Sequence, residues 1–296
     1  MYDIIIVGAG PAGMTAALYA LRANKKVLVL EAKAYGGQIV NANLVENYPG
    51  IPSISGFDFA TNLYNQIKEL GAEIKFETVL HVDEEKNVTT DENTYQAKAV
   101  IIATGSENRK LNIERERDLV GKGVSYCATC DGNFYKNKVV AVSGGGNTAF
   151  EDALYLSDIA KKVYLIHRRE EFRAEQTYIN KLKKKENVTF VLNANVVALN
   201  GEEKLESIEL EKNDGSKETI NVDGLFIAVG QAPRNDIFSN VVTLNEQGYI
   251  VSEDGVHTNV DGIYVAGDTR VKSLRQLTTA VSDGSIAATT AMRETK

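Results

Sequence analysis

The chain has 296 residues, 43% of them hydrophobic and 25% charged, which is the composition of a globular protein long enough for two domains. Its formal net charge of −7 at pH 7 excludes the basic surface that nucleic acid or an anionic membrane would require. Two cysteines and the lack of a secretory leader or a membrane-length apolar run exclude a disulfide-rich secreted scaffold and favour a cytoplasmic protein.

The N-terminal segment has the pattern of a dinucleotide-binding βαβ unit. Ile4–Val7 is a β-branched run typical of a buried strand, and it leads directly into a glycine turn. A helix is predicted over Met14–Ala23, and a second strand over Lys26–Leu30 ends at Glu31. Such a turn lets a pyrophosphate approach the helix N-terminus, while the acid binds the ribose. The residues predicted to contact the dinucleotide at this turn are Gly8, Gly10, Pro11, Ala12 and Gly13.

The same unit occurs a second time. Val139–Val142 predicts a strand, Phe150–Ser157 a helix and Lys162–Ile166 a further strand that ends at His167. Glu31 lies 18 residues beyond Gly13, and His167 lies 18 residues beyond Ala149, so the two units share one register. The predicted contacts at the second turn are Gly144, Gly146, Asn147 and Thr148. A glycine-rich turn without a ligand is the alternative, which the repeat disfavours.

Further buried strands complete each unit. One precedes the turn Ala103-Thr104-Gly105, and a similar strand over Leu225–Val229 precedes Gly230. The strand over Gly262–Ala266, its Gly267-Asp268 turn and a helix from Gln276 are assigned to the first unit. Residues 78–94 and 195–221 alternate and carry turn signals, which predicts short antiparallel sheets. The fold class is α/β with two Rossmann-like three-layer domains: 1–113 and 243–296 form one, and 114–242 form the inserted one.

The two units differ where a ribose would lie. Glu31 suits the 2′-hydroxyl of FAD or NAD, since a carboxylate accepts hydrogen bonds from it. The second unit has His167, Arg168 and Arg169 at this point, followed by Arg173, and arginines suit a 2′-phosphate. We therefore expect FAD in the first unit and NADPH in the second, the alternative being a solvated basic strand end.

Cys127 and Cys130 form a C-x-x-C pair, followed by Asp131 and Gly132. Such a pair is a redox disulfide, half of a zinc site, or two inert thiols. Zinc needs two further ligands, but no other cysteine is present and the three histidines are scattered, so no metal is expected. Asp131 is placed to exchange a proton with a thiolate, or to cap the turn at Gly132.

Taken together, these motifs resemble the low-molecular-weight, bacterial-type thioredoxin reductases over nearly the whole chain. The segments that carry the resemblance are Gly8–Gly13, Gly36-Gly37-Gln38, Glu46–Gly50, Ala103–Gly105, Cys127–Gly132, Gly144–Ala149, His167–Arg169 with Phe172–Ala174, and Ala266–Asp268 with Arg275-Gln276. The resemblance implies an NADPH-dependent reductase of thioredoxin or a thioredoxin-like protein, and a homodimer. It also implies FAD in the split domain, and NADPH with the cysteines in the inserted domain.

Residue roles follow from the resemblance as well. It implies that Cys130 is the thiol nearer the flavin, that Cys127 attacks the thioredoxin disulfide, and that Asp131 exchanges the proton. The inserted domain is expected to rotate between two states, with hinges near 113–116 and 241–244. The residues implied to contact the flavin are Gly37, Gln38, Asn47, Ala103, Thr104, Gly105, Gly267, Asp268, Arg275 and Gln276. Turn formation and capping are the alternative roles of the polar residues among them.

Two segments depart from the family pattern. Arg234 follows Pro233 where Asn or Thr is usual, and Lys272-Ser273-Leu274 replaces a more aromatic run. Three other functions are compatible with part of the sequence: a dithiol oxidase, a flavodoxin- or ferredoxin-linked reductase, and a nucleotide-sensing module. The first two do not need a 2′-phosphate site, and the third has no use for the cysteine pair.

Overall fold

The computed structural model describes residues 1–42, 44–252 and 255–295. In chain order its strands and α-helices are β1 (Tyr2–Val7), α1 (Pro11–Arg22), β2 (Val27–Leu30), α2 (Gly56–Glu69), β3 (Glu73–Lys75), β4 (Val79–Val82), β5 (Asn87–Thr90), β6 (Thr94–Ile102), β7 (Ser106–Asn108), β8 (Val124–Ser125), α3 (Ala128–Asp131), β9 (Val139–Gly144), α4 (Asn147–Ser157), β10 (Lys162–His167), α5 (Gln176–Leu182), β11 (Val188–Leu192), β12 (Ala194–Asn200), β13 (Ser207–Lys212), β14 (Lys217–Asn221), β15 (Gly224–Ala228), β16 (Gln231–Pro233), β17 (Ile263–Val265) and α6 (Leu277–Glu294).

The chain forms two compact units. The first is discontinuous and comprises residues 1–107 and 232–296, whereas the second comprises residues 108–231. The second unit is thus inserted into the first, as the repeat predicts. The division differs from the predicted boundaries after 113 and 242. Leu111 and Ile113 pack in the core of the inserted unit, whereas Phe238 and Val242 pack in the core of the first unit.

The discontinuous unit is built on one sheet in the order β3-β2-β1-β6-β5-β4, with β17 also paired to β6. The strands β3, β2, β1, β6 and β17 are parallel, and β4, β5 and the start of β6 form an antiparallel meander. Alternate residues of β1 face opposite sides: Ile4 and Ile6 pack with α1, α2 and α6, while Ile5 and Val7 pack with the meander. This arrangement gives three layers.

The inserted unit repeats this architecture. Its parallel sheet has the order β11-β10-β9-β15-β8, and β12, β13 and β14 form a separate antiparallel sheet. Val140 and Val142 of β9 pack with α4 and α5, whereas Ala141 packs with the antiparallel sheet. The predicted fold class is therefore confirmed. The antiparallel pairing predicted in both segments is observed, but only residues 195–221 form a separate sheet, since β4 and β5 extend the main sheet of the first unit. A two-stranded sheet pairs β7 with β16.

Two helix starts differ from the sequence prediction. Helix α1 begins at Pro11 rather than Met14, and α4 begins at Asn147 rather than Phe150. Proline has a fixed φ and no N–H, so it fits the first position of a helix. In each case the glycine before the helix is the N-cap, and no side chain caps it.

In the described ranges, no helix has the length and apolar character needed to cross a bilayer.

Candidate functional site

The first glycine turn is shaped for an anion. A Cβ atom on Gly13 would collide with the carbonyl oxygen of Gly8, so only glycine lets α1 start this close to β1. At Gly10, by contrast, nothing lies within 4 Å of the Cβ position. The uncapped N-terminus of α1 therefore faces open space, where its N–H groups and partial positive charge favour a phosphate. Pro11 and Ala12 are the first two residues of this helix.

Glu31 lies beside this turn, at the end of β2. Its Oε2 accepts a hydrogen bond from the Ala9 N–H at 2.9 Å, and its Oε1 accepts one from the Lys33 N–H at 3.0 Å. These bonds hold the carboxylate in place and leave lone pairs for a ribose hydroxyl. The acid is thus where the βαβ pattern predicts it.

A second loop approaches the same turn. The Gly36 N–H donates to the Ala9 carbonyl oxygen at 2.7 Å, and the Cβ position of Gly37 is 3.3 Å from the Cα of Gly10. Gln38 follows in a short 3₁₀ helix, is exposed, and accepts a bond of 3.4 Å from the Asn41 side-chain amide. Gly37 is therefore brought to the glycine turn, with Gln38 next to it in the chain.

The Gly267–Thr269 turn lies against the start of α1, since a Cβ on Gly267 would be 2.8 Å from the Cβ of Ala12. Asp268 sits in this turn, and its Oδ1 is fully buried without a hydrogen-bond donor among the described residues; Lys272 Nζ is 4.0 Å away. Burial raises the pKa of Asp268. Asp268 Oδ1 is thus a buried acceptor next to a turn that favours anions. A hydroxyl group of a ligand could donate to it, which fits the proposed flavin site.

Asp283, which the sequence reasoning missed, anchors that turn from α6. Its Oδ2 accepts bonds from the Gly267 N–H at 3.0 Å, Arg270 Nε at 2.9 Å and Lys272 Nζ at 2.8 Å. Burial opposes ionisation, but the bonds from Arg270 and Lys272 outweigh it and lower the pKa of Asp283. Lys272, which departs from the family pattern, is thus part of a buried ion cluster that supports the Gly267–Thr269 turn.

A second buried network joins the turn after β6. The Thr104 and Thr269 hydroxyl oxygens are 2.9 Å apart, and Thr269 Oγ1 donates to Asn235 Oδ1 at 2.6 Å. Asn235 is 1% exposed, and its amide donates to the Gly248 and Thr269 carbonyl oxygens, each at 2.9 Å. Thr104 lies between the buried Ala103 and Gly105, whose φ is 69°. The sequence prediction found Thr104 but not Asn235, its buried partner.

Two pairs connect the remaining predicted flavin residues. The Asn47 amide donates to Gln276 Oε1 at 3.1 Å, although the two residues are far apart in the chain. Gln276 is also the N-cap of α6, in a capping box with Thr279. The Arg275 guanidinium lies 4.1 Å from the centroid of the Tyr249 ring, and its Nε donates to the Asp268 carbonyl oxygen at 3.4 Å. Gln276 therefore caps α6 and also contacts Asn47, while its neighbour Arg275 contacts the Asp268 turn.

The second glycine turn has the same form as the first. A Cβ on Gly144 would lie 2.7 Å from the Cβ of Ala149, whereas nothing lies within 4 Å of the Cβ position of Gly146. Asn147, at the start of α4, exchanges two bonds with Glu175, at 2.8 and 3.1 Å. Thr148 is exposed on the first turn of the helix. Asn147 therefore has a structural partner as well as a place at the turn.

The basic residues lie around this second turn. The His167 ring fills the space beside Gly145, and the Arg173 N–H donates to the Gly145 carbonyl oxygen at 2.8 Å. Arg168, Arg169 and Arg173 are exposed. Burial lowers the pKa of His167 despite its bond to Glu171, and the three arginines lower it further. The positive charge at neutral pH thus comes from the arginines, while the imidazole, packed against Gly145, is neutral.

Cys127 and Cys130 form a disulfide with an S–S distance of 2.04 Å. Cys127 is the N-cap of the one-turn helix α3, and the Asp131 N–H donates to the Cys127 carbonyl oxygen at 3.1 Å. Both cysteines are partly exposed, and the Thr129 hydroxyl is 3.4 Å from Cys127 Sγ. A partly exposed disulfide between cysteines three positions apart can exchange with a thiol of another protein.

Among the described residues, no group of three or more His, Cys, Asp or Glu could hold a metal.

Two carboxyl groups lie at α3: Asp131, which ends it and is partly exposed, and Asp152 of α4, which is buried. Burial raises the pKa of Asp131, while a hydrogen bond from Ser125 opposes the rise. Asp152 of α4 is 9% exposed, and burial, with the Glu151 charge adding to it, raises its pKa to about 7 against a hydrogen bond from the Ala128 N–H. Asp131 was identified in the sequence, but Asp152 was not, because its burial depends on how α4 packs.

Comparisons with known proteins agree with this arrangement. The pattern of the pyridine nucleotide-disulphide oxidoreductase family matches residues 2–284. The chain is 45% identical to a thioredoxin reductase of Listeria innocua, over 99% of this chain and 93% of the relative, and 43% identical to one of Bacillus subtilis, over 97% and 93%. The crystal structure of thioredoxin reductase from Streptococcus pyogenes superposes with a TM-score of 0.94 at 38% identity, covering 99% and 98% of the two chains.

Proposed function

Because the chain belongs to the pyridine nucleotide-disulphide oxidoreductases, and among them to the low-molecular-weight thioredoxin reductases, we propose that it transfers electrons from NADPH, through FAD and the Cys127–Cys130 disulfide, to oxidised thioredoxin or a thioredoxin-like protein. The observation that carries the proposal is the disulfide itself, which lies in the same unit as a glycine turn bonded to Arg173 and packed against His167, the residue before Arg168 and Arg169.

The discontinuous unit is the proposed FAD domain. The support is the open side of Gly10, the carboxylate of Glu31 beside it, and the buried Oδ1 of Asp268 that lacks a donor. FAD, when bound, supplies a two-electron carrier between NADPH and the disulfide. The residues of this chain would orient it: the N-terminus of α1 would hold the pyrophosphate, and Asp283 holds the Asp268 turn in place.

The inserted unit is the proposed NADPH domain. The open side of Gly146 and the uncapped start of α4 favour the pyrophosphate. Arg168, Arg169 and Arg173 are exposed at the position where a 2′-phosphate would lie, and guanidinium groups bind phosphate through paired hydrogen bonds. This charge is the reason to propose NADPH rather than NADH.

The redox pair completes the reaction. Two electrons and two protons convert the Cys127–Cys130 disulfide to two thiols. The Cys127 thiolate then attacks one sulfur of the thioredoxin disulfide, which forms a mixed disulfide and releases a thioredoxin thiolate. Cys130 attacks Cys127 Sγ, so that the disulfide of this chain re-forms and thioredoxin leaves with two thiols. Asp131, next to Cys130 and with a pKa raised by burial, holds and returns a proton.

Rotation of the inserted unit, a homodimer and a cytoplasmic location remain part of the proposal. The rotation is inferred because the arginine-lined turn and the disulfide belong to one unit, whereas the flavin site belongs to the other. Hinges near 113–116 and 241–244 stay predictions. Sedimentation of the purified protein measures the oligomeric state directly.

The test of the function is an anaerobic titration of the purified protein with NADPH, followed in the flavin absorption band. We expect loss of the oxidised band with more than one equivalent of NADPH per subunit, because the flavin and the disulfide each accept two electrons. Failure of NADPH to bleach the flavin, with bleaching by reduced ferredoxin or a dithiol, would contradict the proposed electron donor and favour a ferredoxin-linked reductase.

The Cys130→Ser variant separates the two halves of the reaction. Thioredoxin reduction should be lost, since no disulfide can form, while NADPH still bleaches the flavin with about one equivalent per subunit. Turnover of thioredoxin is measured with NADPH oxidation as the readout. Normal turnover in this variant would show that the redox pair is assigned wrongly.

A further inference from the structure

Ser125 stands between the two chemical groups of the redox site. It ends strand β8, is 3% exposed, and pairs with Phe226 of β15 in the parallel sheet, so its backbone is fixed by the core. Its hydroxyl group lies 2.6 Å from Asp131 Oδ2 and 3.1 Å from the Cys127 nitrogen. No role is assigned to this residue by the cysteine motif.

The direction of these bonds follows from the donors available. The Cys127 N–H can only donate, so Ser125 Oγ accepts from it. The single hydroxyl proton is then free to go to Asp131 Oδ2 at 2.6 Å or to the Cys127 carbonyl oxygen at 3.3 Å. The shorter contact to a carboxylate is much the stronger one, because hydrogen bonds to ionised groups are short and strong. Ser125 therefore donates to Asp131.

We propose that Ser125 is a positioning residue for the thiol–disulfide reaction: it ties the Asp131 carboxylate to the backbone of Cys127 and favours the ionised form of that carboxylate. This inference rests on the proposed reductase function and on the acid–base role of Asp131. Burial and Ser125 act in opposite directions on the pKa of Asp131, which burial raises. Removing the hydroxyl leaves burial unopposed, so the carboxyl should keep its proton to a higher pH.

The test uses the reduced protein and the rate of cysteine alkylation by iodoacetamide between pH 4 and 9, which needs neither NADPH nor thioredoxin. The wild-type profile should contain an inflection from Asp131 that is missing in Asp131→Asn. Ser125→Ala should move this inflection upward by about one to two pH units, the shift expected for losing one hydrogen bond to a charged group. Ser125→Thr keeps the hydroxyl and should restore the wild-type profile.

Two controls distinguish positioning from loosening of the unit. Ser157→Ala removes another buried hydroxyl of the same unit, which donates only to the Leu154 carbonyl oxygen, and should leave the profile unchanged. In the Asp131→Asn background, Ser125→Ala should have no further effect. The proposal is overturned if Ser125→Ala leaves the inflection in place, or if it shifts the profile equally with and without Asp131. Failure of the reductase function would appear separately, in the NADPH titration.

Discussion

Asp152 gives the most direct test of the packing around α3, the short helix that contains Cys130. It lies on α4, is 9% exposed, and its pKa is raised from 3.8 to about 7, first by burial and then by the Glu151 charge. At about 1.36 kcal/mol for each pH unit between these values, the ionised carboxylate destabilises the folded state by roughly 4 kcal/mol. Asp152→Asn keeps a carbonyl oxygen for the Ala128 N–H but cannot ionise.

The sign of the pH dependence follows from the raised pKa. Between pH 4 and 7 the folded protein holds a proton on Asp152 that the unfolded chain has released, so stability falls as pH rises through this range. Above pH 7 both states are ionised and the effect levels off. From pH 5 to pH 8, ionisation of Asp152 lowers the free energy of unfolding of the wild-type protein by about 2–3 kcal/mol, and this decrease is absent in Asp152→Asn.

The assay is thermal unfolding of the oxidised, flavin-bound protein at pH 5 and pH 8. The Tm of Asp152→Asn relative to wild type should rise by about 3–5 °C between the two pH values. All other titrating groups are common to both proteins and cancel in the comparison. Asp158→Asn, which removes the same charge from an exposed position at the end of α4, should show no such change. A Tm difference that is independent of pH would refute the buried, proton-holding state of Asp152.

Two further predictions concern the nucleotide sites. Changing Arg168 and Arg169 together to alanine should weaken NADPH binding by about 2–4 kcal/mol, seen as a raised KM with unchanged flavin content, and an unaltered preference for NADPH over NADH would contradict the 2′-phosphate role. Asp283→Ala leaves Arg270 and Lys272 without their buried partner, so it should destabilise the protein by about 3–5 kcal/mol and release flavin at lower temperature. Flavin fluorescence during heating measures this release, and wild-type behaviour would show that the ion cluster does not support the turn.

Local patterns were sufficient to predict the parts of the fold that repeat. A β-branched run, a glycine turn and an alanine-rich helix are each encoded within a few neighbouring residues, and β1, α1, β9 and α4 formed where these patterns lie. Helix α2 was not predicted, although Ser55 caps it by accepting a bond from the Asp58 N–H. That serine, three residues before an acid, was the available signal.

The supporting residues could not be found in the same way, because their partners are distant in the chain. Asn235 bonds to Thr269, and Asp283 to Gly267 and Arg270, only after β17 and α6 have packed against the first sheet. A buried asparagine or aspartate resembles any surface residue in the sequence alone. The limits of the inserted unit shifted for the same reason, since Ile113 and Phe238 carry no local sign of the core they join.

Helix α4 connects the two proposed sites of the inserted unit. Its N-terminus lies at the second glycine turn, and Asp152 in its middle accepts a bond from the Ala128 N–H. Tyr155 and Leu156 near its end occupy the space that a Cβ on Gly132 would need. The proposed pyrophosphate site of NADPH and the disulfide are thus both built on one packed helix, and neither can move far without the other. Alternate access of NADPH and the disulfide to a single flavin therefore requires displacement of the whole unit, which is why we expect a rotation and not the movement of a loop.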